Sequence, residues 1–148
     1  MSIAFRLGAQ LTDIGVEPLF HSLLSTVAVQ LEHGSWGSCF PHVMFELCRG
    51  ALPAQHADAA WRELEDIRRK LRQLTPGAAI WDYSDLARES PWGKALGAGV
   101  TCLANYHVTT DGVPLLDVML ERVAALKEAG GTLEIVQVDG IAPFYYSA

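Results

Sequence analysis

"HADAAWRELEDIRRKLRQL", residues 56–74, is the most strongly periodic stretch of the chain. Ala57, Ala60, Trp61, Leu64, Ile67, Leu71 and Leu74 recur at helical spacing, which predicts an amphipathic helix with one apolar stripe turned to the core. The opposite face sets Glu65 four residues before Arg69 and Asp66 four before Lys70, the order that favours helical ion pairs. Bases gather at its C-terminal end, against the negative pole of the helix dipole, and Thr75-Pro76-Gly77 ends it. Such a stripe needs a second layer to cover it.

The flanking sequence supplies that layer. "IAFRL" (3–7) predicts a first strand, and Pro18 suits the first turn of a helix over about 18–32, with Leu19, Phe20, Leu23, Leu24, Val27 and Leu31 inward and Gly34 as its stop. A short second helix is expected over about 41–49, from Pro41 to Gly50. After the 56–74 helix, "AAIWDY" (78–83) and "VTCLANYHVTT" (100–110) read as strands, which would place Trp81 in the core. Between them "SDLARESPWGKALGAG" (84–99) is a polar, Gly-rich connector with room for a helical turn at 84–88. Asp111-Gly112 is a turn signal, Pro114 opens a last helix over about 113–128, and "TLEIVQV" (132–138) reads as a final strand. The apolar tail "GIAPFYYSA" (140–148) fits either a last β-edge over the core or a docking segment for a partner. The resulting order, β-α-α-α-β-β-α-β, fits an α+β fold: one domain spanning residues 1–148, with a small mostly antiparallel or mixed sheet packed against helices.

Bulk properties narrow the function. A chain of 148 residues can bury one substantial core. No apolar run approaches the roughly 20 residues that cross a bilayer, and the N-terminal stretch lacks the features of a secretory signal, so no membrane role and a cytoplasmic address are expected. Cys39, Cys48 and Cys102 are odd in number, without repeated spacing or a CxxC pair, which speaks against a disulfide framework or a structural zinc site. Of the net charge of −6, residues 76–148 hold nine acids against four bases. An acidic half repels nucleic acid and would suit a basic protein partner.

Two stretches could carry chemistry. "HGSWGSCFPHVMFELCRG" (33–50) looks like a Gly-rich turn opening a helix, yet it has no lysine for a phosphate loop and does not follow a strand. Cys39 and His42 could pair as nucleophile and base in a small hydrolase or transferase, while the plainer reading has Ser38 capping the next helix and Trp36 and Phe40 filling the core. His42 and Glu46 sit at i,i+4, but the other histidines show no converging spacing, so neither a metal nor a cofactor is expected. "IWDYSDLARESPWG" (80–93) crowds Asp82, Asp85 and Glu89 beside Trp81, Tyr83 and Trp92. That mixture suits a charged, aromatic protein-binding edge, because Trp and Tyr anchor interfaces.

"GSCFPHVMFELCRGAL", "ELEDIRRKLRQLTPGAAIWDYSD" and "PWGKALGAGVTCLANYHVTTDGVPLLDVML" together resemble a bacterial immunity-protein family of polymorphic toxin systems, the one numbered seventy. The resemblance spans about residues 34–128 and rests on the order of Phe40-Pro41, "ELEDIR", Trp81-Asp82, Pro91-Trp92-Gly93 and Thr110-Asp111-Gly112. In a run that resembles WDxED this chain reads "WDYSD", one acid fewer. The resemblance implies a non-enzymatic protein that binds a cognate toxin in the cytoplasm, such as a nuclease or nucleotide-consuming toxin, and neutralises it by covering its active surface. Asp82, Asp85, Glu89, Trp92 and Asp111 are the expected contacts. A scaffold subunit docking through its tail is the remaining alternative, and the sequence leaves the oligomeric state open.

Overall fold

The structure, a computed structural model, describes residues 2–93, 95–97 and 99–138. The tail at 140–148, with both of its expected roles, lies outside the described residues, as does Lys94. Ser2–Leu7 (β1) and Gln10–Val16 (β2) form an antiparallel hairpin that turns at Gly8, whose φ of +61° suits glycine. Then come Glu17–Gln30 (α1), a one-turn π-helix at His42–Leu47, Leu52–Pro53 (β3), Ala57–Leu71 (α2), Leu115–Ala129 (α3) and Thr132–Gln137 (β4). All strand pairings are antiparallel, in the order β2-β1-β4-β3. The fold is α+β, with four strands in an open sheet among the described residues.

One core joins the sheet to the helices. Ile3, Phe5, Ile14, Leu133 and Ile135 are buried in it, together with Leu23, Leu24 and Val27 of α1 and Leu116, Met119, Val123 and Leu126 of α3. Phe5 meets Phe20 edge to face at 6.4 Å. On α2 the stripe of Ala57, Ala60, Leu64, Ile67 and Leu71 is fully buried, as its spacing predicts. Trp61 departs from it and stands 38% exposed. The ion pairs are also re-sorted: Asp66 holds both Arg69 and Lys70, while Arg68 takes Glu65 and reaches Asp117 on α3.

β2 was not expected from the sequence, and two expected strands do not form. Residues 78–83 start at the end of a turn of 3-10 helix, Pro76–Ala78, and continue as an extended segment whose backbone pairs with side chains of α1 rather than with a strand. Ser22 Oγ donates to the Ile80 carbonyl at 2.9 Å, Ile80 N–H donates to Thr26 Oγ1 at 3.0 Å, Tyr83 N–H donates to Ser25 Oγ at 2.9 Å, and Gln30 Nε2 donates to the Ala78 carbonyl at 2.9 Å. Those three hydroxyl residues of α1 are buried, so their partners must come from inside the protein. In residues 100–110, Asn105 Oδ1 accepts the N–H groups of Thr101 and Cys102 and folds the chain into a turn. Such local side-chain bonding competes with strand formation. The remnant of strand pairing there is a single bridge, Val108 to Pro114.

The segment after α1 is organised by carboxylates. Glu32 is buried, and its two oxygens accept the N–H groups of Gly37, Cys39 and Phe40 at 3.0, 2.9 and 3.0 Å. Glu63, on α2, accepts Val43 N–H at 2.9 Å and His42 N–H at 3.3 Å at the start of the π-helix. The cap expected from Ser38 is absent; its hydroxyl lies against the Cys39 thiol at 3.9 Å. Burial pushes the Glu63 carboxyl up, and the two amides that it accepts only partly offset this. Gly37 sits at φ +80°, and a Cβ there would fall 2.1 Å from the Phe45 ring.

Replacing Glu32 with Ala strands three amide donors, two of them buried. Glu32→Ala is expected to lower the unfolding free energy by about 3 kcal/mol, read from the urea midpoint at unchanged slope. A loss under about 0.5 kcal/mol would mean that the loop does not depend on this carboxylate.

Candidate functional site

Ile80–Tyr83 lies against the hydroxyl-bearing face of α1, and an aromatic wall is built from this segment and from Trp92 further along the chain. Half-buried Trp81 meets Trp92 edge to face at 5.3 Å. Trp92 Nε1–H donates to Tyr106 Oη at 2.9 Å, and Tyr106 in turn stacks edge-on against His107 at 4.8 Å. Tyr83 meets Trp36 edge to face at 5.2 Å and donates to the Gly34 carbonyl, tying the connector to the loop after α1.

Two clefts flank this wall. One, of about 510 Å³, is lined among others by Ser22, Trp81, Leu86, Glu89 and Tyr106. The other, of about 500 Å³, is lined by Val16, His21, Asp82, Pro91 and Trp92. Trp81 and Arg88 border both. Apolar groups stand open to solvent along the rims: Val16, Leu86, Trp92 and Leu96. Grouped exposed apolar side chains within a polar frame are the usual mark of an interaction surface.

The five residues picked out by the sequence fall into two sets. Asp82 is engaged internally: Oδ1 meets His21 Nε2 at 3.1 Å and accepts Ser84 N–H at 2.9 Å, while Oδ2 meets the Arg88 guanidinium at 3.5 Å. The His21 hydrogen bond, with the Ser84 amide behind it, holds the Asp82 carboxyl below its usual range. Asp85 and Glu89 are exposed in the segment that follows, and Trp92 is 38% exposed at the end of the wall. Asp111 is exposed in a turn closed by Gly112 N–H to the Thr109 carbonyl. Its neighbour Thr110 packs near Gly15, one residue before cleft-lining Val16. Sequence reasoning did not find the role of His21 or Arg88 here.

Nucleophilic chemistry finds little support in the arrangement. His107 Nε2 and Ser22 Oγ lie 2.9 Å apart, an inviting pair, but Ser22 directs its hydroxyl hydrogen to the Ile80 carbonyl. His107 therefore donates through Nε2–H, leaving Nδ1 as a lone-pair nitrogen with no partner among the described residues. Such a serine is a structural acceptor, not an activated nucleophile. Cys39 is exposed and lies against Ser38, whereas His42 turns to Glu46. The sequence-based expectation that the histidines do not converge is overturned in one place. His56 reaches back from the start of α2 to place Nδ1 2.9 Å from Glu46 Oε2, beside the hydrogen bond of His42 Nδ1 to the same carboxylate. Burial raises the Glu46 carboxyl, but the hydrogen bonds from His42 and His56 outweigh it and leave the group below its usual range. Their potential ligand atoms lie within 4.8 Å of one another, the one such trio among the described residues.

A family model described as immunity protein 70 matches residues 5–135, all but the two ends of the chain. The chain belongs to the immunity protein 70 family. Neither a curated protein nor a solved structure matches it. For an immunity protein 70 member the role to explain is binding and inhibition of a toxin, and membership favours a non-enzymatic role. Among the described residues no helix is long and apolar enough to cross a membrane.

Full burial lowers His107 from the usual value of 6.5 to about 3. The folded protein thus keeps the ring neutral where the unfolded chain protonates it. Stability from this group is complete above about pH 6.5 and drains away as the pH falls toward 3, by about 1.4 kcal/mol per pH unit. In urea unfolding between pH 6 and 4, His107→Leu, whatever its absolute stability, is expected to show a slope flatter by about that amount. Parallel slopes would contradict a neutral, sealed His107.

Proposed function

We propose that this immunity protein neutralises a toxin acting in the cytoplasm by seating the 80–96 connector on the toxin's active surface. The toxin class that fits is one with a basic surface for phosphate-bearing substrates, such as a nuclease or a nucleotide-consuming enzyme. The observation that carries the reading is the joint exposure of Trp92, Leu86, Leu96 and Val16 around two clefts, framed by the open carboxylates of Asp85 and Glu89. An exposed indole held by a hydrogen bond to Tyr106 is a pre-ordered anchor, and anchors of this kind dominate interface energies.

The roles then divide. Trp92 enters the partner and excludes water. Asp85 and Glu89, with Asp111 at the rim, steer a basic surface toward it and set partner choice. Asp82 holds the connector through His21 and Arg88, so it shapes the surface as well as charging it. Neutralisation is by a one-to-one cover that keeps substrate from the toxin.

The test uses candidate toxin domains, sought first in the neighbouring reading frame, in co-expression and by surface-immobilised binding. Trp92→Ala is expected to weaken the complex by about 2 kcal/mol, some thirtyfold, chiefly through faster dissociation. Asp85→Asn with Glu89→Gln is expected to slow association about tenfold at low salt and to flatten its salt dependence. If a variant that combines Trp92→Ala, Asp85→Asn and Glu89→Gln protects cells and binds as the parent does, the toxin is met by another face.

A further inference from the structure

We propose that His42, Glu46 and His56 form a binding site for a divalent transition metal of the zinc class, with two imidazole nitrogens and one carboxylate as ligands. It lies apart from the aromatic wall and is independent of the toxin-binding reading.

The geometry is built by several separate devices, which is what distinguishes it from histidines that happen to be neighbours. His42 and Glu46 project from the π-helix, whose wide bonds run from Cys48 N–H to the Val43 carbonyl and from Ala51 N–H to the Glu46 carbonyl, both at 3.0 Å. Single π-turns are rare and are frequently found at functional sites. Glu63 on α2 fixes the first turn of that helix by accepting the His42 and Val43 amides. The chain then reverses at Gly50, at φ +74°, where a Cβ would lie 2.8 Å from the Ile135 amide nitrogen. Only glycine fits that approach. β3 then pairs with β4, and Ala54 N–H donates to the Gly131 carbonyl at 2.9 Å, so that His56 is delivered back over Glu46.

The three side chains meet closely. The imidazoles of His42 and His56 are 4.8 Å apart at a tilt of 52°, and both present Nδ1 to the Glu46 carboxylate. Zinc bonds of about 2.0–2.2 Å at the tetrahedral angle place ligand atoms about 3.3–3.6 Å from one another. With the ligand atoms already within 4.8 Å, adjustment of side-chain torsions closes the shell without moving backbone. Side-chain exposures of 30%, 27% and 41% give an ion a path in and leave the fourth position of a tetrahedral shell to solvent. Imidazole with a single carboxylate selects zinc, nickel, copper or cobalt over magnesium and calcium, which want oxygen cages.

The test is calorimetric titration of Zn²⁺ into the full chain after chelator treatment, in a Cys39→Ser background that removes the exposed thiol. The expected result is one ion per chain, undiminished by excess Mg²⁺. His42→Ala, His56→Ala and Glu46→Gln should each weaken binding at least about tenfold, the loss that even outer-shell changes cause at metal sites. His33→Asn, at an exposed histidine outside the trio, should leave it unchanged. Zn²⁺ should also raise the melting temperature of the parent and not that of Glu46→Gln. Should a variant fail to fold, Co²⁺ added to the Cys39→Ser chain decides. A tetrahedral d–d band without thiolate charge transfer supports the site, and a thiolate band overturns it. No saturable binding, or equal affinity in the His42→Ala/His56→Ala double variant, would leave a hydrogen-bonded trio with no metal role.

Discussion

The structure depends on a polar stripe inside an apolar helix. α1 reads as a core helix, yet Ser22, Ser25 and Thr26 are buried along one side of it, and Gln30 extends the line. Buried hydroxyls without partners cost stability, and a bare backbone segment laid over apolar side chains costs more. Each need meets the other here: the segment Ala78–Tyr83 gives its carbonyls and N–H groups to those side chains. An extended segment thus docks without becoming a strand. The connector that follows inherits a fixed starting point, and the whole aromatic wall stands on it.

A similar exchange governs the Gly-rich loop after α1. Turns that expose several N–H groups are ready to take an anion. In this chain the anion is the protein's own: Glu32 already fills three such donors from the inside. An external phosphate would have to displace a buried carboxylate and leave it unpartnered. The same loop therefore looks like a ligand cradle in sequence and acts as a hinge-free brace in structure. Glu63 repeats the device at the π-helix, which explains why that short helix has no local cap.

What the sequence revealed follows from the range of the forces involved. The α2 stripe, α3 and β4 were legible because burial imposes a period on them. β2 was missed because "QLTDIGV" mixes polar residues, a bulge and Gly15, so its period is broken even though its pairing with β1 is extensive. The strands expected at 78–83 and 100–110 had the right residue types, but their backbone groups are taken by α1 side chains and by Asn105. The exposed aromatic and acidic character of the connector was visible in its composition. The partners of Asp82 were not, since His21 is 61 residues away. His56 was likewise invisible as a companion of Glu46, because a reversal at Gly50 and a two-residue strand bring it there. A hydroxyl run inside an otherwise apolar helix was the available hint of a docked segment.

The division of labour among the connector's acids bears on how an inhibitor can be both firm and selective. A loop that had to order itself on binding would lose affinity to that ordering. Asp82 removes much of this cost beforehand by tying the loop to α1 and to Arg88, and the Trp92–Tyr106 hydrogen bond fixes the indole. Asp85 and Glu89 are exposed and make no comparable side-chain bond among the described residues; on the proposed reading they act at longer range, where charge governs encounter more than final affinity. On the proposed reading, substitutions at Asp85 and Glu89 can therefore retune partner choice without disturbing the platform, whereas a change at Asp82 would alter the shape offered to every partner.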